Sequence, residues 1–118
     1  MSLHRLNMRN WLPYITKIHA RYSVFDKTSV GVREFLRQVN APKCVASNPK
    51  CEVSQEVLAM WDASPPSLTI SFVNDTTQTL NTNEMVVDSI IEDVETTCTL
   101  IENDYMAKGI PLPTQEGV

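Results

Sequence analysis

Before Asp26 the chain has no carboxylate, and after Lys50 it has a single cation, Lys108. Nine of its ten lysines and arginines lie in the first fifty residues, and twelve of its fourteen carboxylates in the remaining sixty-eight. An asymmetry of this size points to a polyanion as partner of the basic half, and to a different partner or plain solvation for the acidic half. Other absences exclude whole classes. No apolar run approaches the roughly 18–20 residues that cross a bilayer as a helix. Cysteine is scarce and odd in number, Cys44, Cys51 and Cys98, with no secretory leader pattern. That favours a thiol-keeping compartment over a disulfide framework. No nucleotide loop, nucleophile–base pair or isolated carboxylate dyad occurs, so no catalytic residue is assigned. Three cysteines with His4 and His19 give no zinc-ligand spacing, so no metal and no cofactor are expected.

What is present is ordinary globular material: 118 residues, 42% hydrophobic and 20% charged. That suits one domain. Residues 1–13 read as a basic, acid-free, weakly amphipathic segment carrying His4, Arg5 and Arg9. It is either an uncleaved mitochondrial targeting signal or a short basic tail. The domain itself is expected over residues 14–108, followed by an extended, Pro-rich tail over 109–118.

Periodicity supplies the elements. Thr16, Ile18, Ala20, Tyr22 and Val24 alternate with Lys17, His19, Arg21 and Ser23, which predicts a strand with one buried and one wet, basic face. Thr28 or Ser29 can cap a helix with Val32, Phe35, Leu36 and Val39 at helical spacing, and Pro42 ends that region. Arg33 and Arg37 fall four apart on its outer side. Asn48-Pro49 marks a turn. Cys51, Val53, Val57 and Ala59 against Glu52, Ser54 and Glu56 predict a second strand. After the Pro65-Pro66 break, Leu68, Ile70 and Phe72 form a third, and Asn74-Asp75 turns into a fourth at Thr77–Leu80. Val87, Ile90, Ile91, Val94, Cys98, Ile101 and Tyr105 then define one long amphipathic helix, capped by Asn81 or Thr82 and stopped by Gly109 and Pro111. The order β-α-β-β-β-α predicts an α/β two-layer sandwich: a mixed sheet, parallel in its first unit, with both helices on one face.

The basic half offers Lys17, Arg21, Lys27, Arg33, Arg37, Lys43 and Lys50 to a polyanion. Cations that reach backbone phosphates bind RNA by charge and shape, without a base code. For Lys17 and Arg21 there is a competing use, pairing with Glu52 and Glu56 across the sheet. Aromatic side chains for base stacking are sparse here, only Tyr22 and Phe25, and alternation buries Tyr22. On the last helix Asp88, Glu92 and Glu95 repeat at helical spacing, which mildly favours a basic partner protein over a solvated face.

Taken together, the basic strand leading into Phe25-Asp26-Lys27, then Arg33-Glu34-Phe35-Leu36, Asn48, Cys51, Pro66 and the Phe72–Asp75 hairpin resemble the mitochondrial large-subunit ribosomal protein 53 family. The resemblance runs from about Ile15 to Val94. Val24 stands where the family often has proline. The resemblance implies a thioredoxin-like fold and a structural, non-enzymatic place in the large subunit of the mitochondrial ribosome, in the matrix. It also implies ribosomal RNA and neighbouring mitochondrial ribosomal proteins as partners, near the base of the stalk that recruits translation factors. The usual thioredoxin order sets strand three beside strand one, whereas the short Asp62–Ser67 link favours a hairpin of strands two and three. A redox thiol of such a fold belongs at the end of strand one. Val24-Phe25-Asp26-Lys27-Thr28 has none there, so Cys44, Cys51 and Cys98 read as core or loop thiols. The alternative assignment is a thioredoxin-like accessory subunit of a respiratory-chain complex, without RNA.

Overall fold

The computed structural model describes residues 12–83 and 85–112, with Lys43 and Cys44 as backbone alone. The expectations for Met1–Trp11, for the side chains of Lys43 and Cys44 and for residues 113–118 lie outside it. The elements are β1 (Ile15–Tyr22), α1 (Val30–Val39), α2 (Pro42–Ser47), β2 (Glu52–Val57), β3 (Ser67–Phe72), β4 (Thr77–Asn81) and α3 (Val87–Lys108). The sheet order is β2-β1-β3-β4, with β1 parallel to β2 and antiparallel to β3, and β3 antiparallel to β4. The architecture is an α/β sandwich of one mixed sheet and one helical layer.

Pleating of the two central strands divides the molecule. Ile18 faces Ile70 and Ala20 faces Leu68 across the β1–β3 ladder, all four fully buried. Val32, Phe35, Leu36 and Val39 of α1 and Ile90, Ile91, Val94, Cys98 and Ile101 of α3 close over that face in a single core. Each fully buried isoleucine or phenylalanine contributes about 1.5–3 kcal/mol against exposure. Tyr14, also in this core, donates its hydroxyl to Glu102 of α3 at 3.3 Å.

The first strand departs from strict alternation at its start. The β1–β3 register shifts between Ile15 and Lys17, so Ile15 and Ile18 are both buried while Thr16 is exposed. Thr16 instead gives its hydroxyl to the Ser71 carbonyl at 3.2 Å. A bulge adds one residue to one strand and reverses the inside–outside phase before it. At the other end Val24 lies beyond the strand and is exposed.

Strand three sits beside strand one, and no β2–β3 hairpin forms. β2 stops at Val57 rather than Ala59, which lengthens the link to residues 58–66. Nine residues easily exceed the roughly 10 Å needed to step over one strand. The link crosses the carboxyl end of β1, where the Leu58 amide donates to the Tyr22 carbonyl at 2.7 Å. At the opposite end Asn48 donates its side-chain amide to the carbonyls of Leu12 and Ile15, tying the entry to β2 to the start of β1.

Helix boundaries follow the expected breakers but not the expected caps. Asp26 caps a short 3-10 turn at Lys27–Ser29 by accepting from the Thr28 amide, and Ser29 gives its hydroxyl back to the Asp26 carbonyl. α1 therefore begins without a side-chain cap. Pro42 both follows α1 and opens α2, a role its fixed φ suits. α3 begins at Val87, five residues beyond Thr82, because Asn81 spends its side chain on the Asn83 amide in a local turn. Gly109 ends α3 in the left-handed conformation at φ 70°.

One close approach sets the spacing of the helical layer. A methyl group on Gly31 of α1 would overlap the Met85 carbonyl oxygen just before α3 and press on the Ile90 side chain. Gly31→Ala is therefore expected to destabilise the fold by about 1–3 kcal/mol, as overpacking does, measured by urea unfolding. The core thiol gives a pH-dependent test. Burial pushes Cys98 up from the ordinary 9.0 to about 12, with Glu95 adding to the rise. A thiol raised in the folded state favours folding below its unfolded value and loses that contribution as pH climbs. The stability gap between wild type and Cys98→Ala should therefore be constant below about pH 9 and narrow towards pH 12.

Candidate nucleic-acid interface

The open face of the sheet is a ladder of matched polar pairs. Lys17, His19 and Arg21 of β1 stand opposite Glu52, Ser54 and Glu56 of β2. Lys17 Nζ lies 3.7 Å from Glu52, and Arg21 Nε donates to Glu56 at 2.6 Å. Between them His19 Nδ1 and Ser54 Oγ are 2.7 Å apart. Lys17 and Arg21 thus adopt the cross-strand pairing, and this stretch of the face carries little net charge. Exposed pairs of this kind are worth less than about 1 kcal/mol, so a phosphate can compete for either cation.

The other cations do not form one patch. α1 runs back from the carboxyl end of β1 and carries Arg33 and Arg37 outward, both exposed. Arg37 Nε donates to Glu34 at 2.8 Å and a second guanidinium nitrogen reaches the other carboxylate oxygen. Those bonds and the Glu34 charge raise the arginine's already high pKa. Three of its five N–H donors stay uncommitted to that carboxylate. Arg33, Lys27 and Lys50 make no ion pair among the described residues. Lys43 is placed through its backbone at the start of α2, and Lys50 follows in the turn that Asn48 anchors. Arg33, Arg37, Lys43 and Lys50 therefore lead from the outer side of α1 to the amino end of β1. Lys27 lies at the opposite end.

The expected redox position holds no thiol. Between β1 and α1 the chain presents Val24, Phe25 and Asp26, whose carboxyl is held below its usual range by the Thr28 amide. Cys51 is half-buried, and burial with Glu52 nearby pushes its thiol up to about 11, far from a reactive thiolate. Among the described residues no cluster of histidine, cysteine and carboxylate groups could hold a metal ion. No helix among them is long and apolar enough to cross a membrane.

On α3 the acidic residues spread over the solvent side. Asp104 pairs with Lys108 at 3.1 Å, and Glu102 accepts from Tyr14. Asp88, Glu92 and Asp93 are exposed.

Periodicity gave no sign of an apolar surface at the carboxyl end of β1. Phe25, Met60 and Trp61 are 65%, 69% and 88% exposed. Val24, Val30, Val57 and Val86 are exposed around them. The available signal was a tryptophan and a methionine placed directly before the Asp62–Pro66 break, outside any periodic element.

Among known proteins, the family model described as 39S ribosomal protein L53/MRP-L53 matches residues 22–75. No curated protein matches the chain. The matched stretch begins at the last residue of β1 and covers α1, α2, β2, β3 and the turn after β3. It contains Lys27, Arg33, Arg37, Lys43 and Lys50 and leaves out Lys17, Arg21 and α3. The match spans 54 of the 118 residues, 22–75, and with the spaced residues from Phe25 to Asp75 it supports the mitochondrial ribosomal protein L53 family as the one this chain is similar to.

Proposed function

We propose that the chain is a structural, non-enzymatic constituent of the large subunit of the mitochondrial ribosome, held in the matrix. It contacts ribosomal RNA through the cations of its basic half, and neighbouring mitochondrial ribosomal proteins near the stalk base through other surfaces. The family match carries this reading, and the cations inside the matched stretch support its RNA part. Arg33 and Lys50, exposed and without an ion-pair partner among the described residues, are the strongest phosphate ligands. Arg37 adds donors that Glu34 holds in a fixed orientation. Lys43 extends the same path, whereas Lys27, at the carboxyl end of β1, lies apart from it. Lys17 and Arg21 take part only by exchanging Glu52 and Glu56 for phosphate.

The residues to test are Arg33 and Lys50, because reversing Arg37 would set a second carboxylate against Glu34. Arg33→Glu with Lys50→Glu should weaken binding to large-subunit RNA and flatten its dependence on salt. Each phosphate that is no longer neutralised takes about 0.7–0.9 off the logarithmic salt slope by nucleic-acid estimates. The folded state should change by no more than about 0.5 kcal/mol per site, as surface substitutions do. Lys17→Gln with Arg21→Gln should have the smaller effect on affinity. Filter binding over a salt series checks both, and an unchanged slope in the first variant would remove RNA from this path.

A further inference from the structure

The apolar end of the sheet has a use that the RNA path does not explain. β1 and β2 are parallel, so their carboxyl ends lie together, and the 58–66 link crosses there. One groove at this end is lined by Ser23, Phe25, Asp26, Lys27, Met60 and Asp62. A second, more enclosed groove begins at the same Lys27 and continues past Val30 to Val86. Of the eleven large apolar side chains exposed among the described residues, Phe25 and Met60 line the first groove and Val30 and Val86 the second, while Val24, Val57 and Trp61 are their neighbours along the chain. Scattered single apolar residues are normal on a surface, but a contiguous group rimmed by charge marks a contact site.

The chemistry of the site distinguishes between occupants. Phe25 and Trp61 present π-faces that suit a base as well as a protein, but Met60 and the valines do not, and phenylalanine, tryptophan and methionine together are the side chains enriched at protein–protein interfaces. Charge points the same way. The first groove is lined by two carboxylates, Asp26 and Asp62, and one cation, Lys27, while Glu34 in the second groove is paired with Arg37. Asp26 accepts from the Thr28 amide, and Asp62 is held by the Ser64 side chain and accepts from the Ser64 amide, contacts that lower both carboxyls below their usual range. With Lys27 counted against the two carboxylates, the lining of this groove is net negative by one charge, which disfavours a phosphate backbone and favours a cationic peptide.

We propose that the carboxyl end of the sheet is the docking surface for a segment of a neighbouring ribosomal protein. The segment sets apolar side chains against Phe25, Met60 and Trp61, and a lysine or arginine against Asp26 and Asp62. This rests on the chain being part of the large subunit. It gives the two ends of the molecule different partners, RNA at the amino end of β1 and protein at the carboxyl end.

The test is photo-crosslinking from Trp61→p-benzoylphenylalanine in the full chain, assembled into large subunits in mitochondria. Sedimentation before irradiation separates the two levels of the account. A wild-type chain absent from the large subunit overturns the ribosomal reading and the partner with it. With the chain present, the expected product is a crosslink to one ribosomal protein, at an apolar stretch with a lysine or arginine within a few residues. Phe25→Ser with Met60→Ser should cut its yield about tenfold or more, as removal of central anchors does. The RNA affinity of that variant should stay unchanged, and its circular dichroism should match the wild type. A crosslink to RNA, to a second copy of this chain, or to nothing overturns the docking surface and leaves the ribosomal reading standing.

Discussion

Everything in this fold is referred to the pleat of β1. Because successive side chains leave opposite faces of a strand, Ile18 and Ala20 can anchor a core while Lys17 and Arg21 stay in water. β1 is also one of the two central strands, and the one that joins a parallel neighbour, β2, to an antiparallel one, β3. Its buried face fixes which sides of α1 and α3 turn inward. Its carboxyl end is the point at which the chain both enters α1 and later crosses towards β3. The helical layer can close over it only because Gly31 admits the backbone at Met85.

The sequence was legible where one period ran unbroken. β3 alternates as expected from Ser67 to Phe72, and the α3 stripe from Ile90 to Ile101 is buried at helical spacing. It was less legible where a local bond outcompeted the pattern. The bulge before Lys17 exchanged Thr16 for Ile15 in the core, because a one-residue slip reverses the faces. Asp26, Ser29 and Asn81 all bond to nearby backbone groups rather than capping a long helix. The early end of β2 decided the strand order, and a boundary of two residues is below what periodicity resolves. The short helix Pro42–Ser47 carried no period at all.

The candidate interface was legible as a set of cations and not as a surface. Cross-strand neighbours are set by register, so Glu52 and Glu56 could be named beside Lys17 and Arg21 before any geometry. Whether Arg33 has a partner depends on which side chains share its side of α1, which composition does not reveal. The exposed Trp61 was least legible, since large apolar residues in a connecting loop are as often packed as presented. The charge division along the sequence is only partly kept in space: Glu52 and Glu56 neutralise Lys17 and Arg21 on the open face of the sheet, while α1 carries Arg33 and Arg37 and α3 most of the carboxylates in the helical layer.

The central claim is that this chain is built into the large subunit of the mitochondrial ribosome. It is tested most directly by gradient sedimentation of the tagged full chain from mitochondria, with and without ribonuclease. The account predicts that the protein travels with large-subunit RNA and moves to the top of the gradient once that RNA is digested. Sedimentation with inner-membrane complexes, or a position indifferent to ribonuclease, would contradict it.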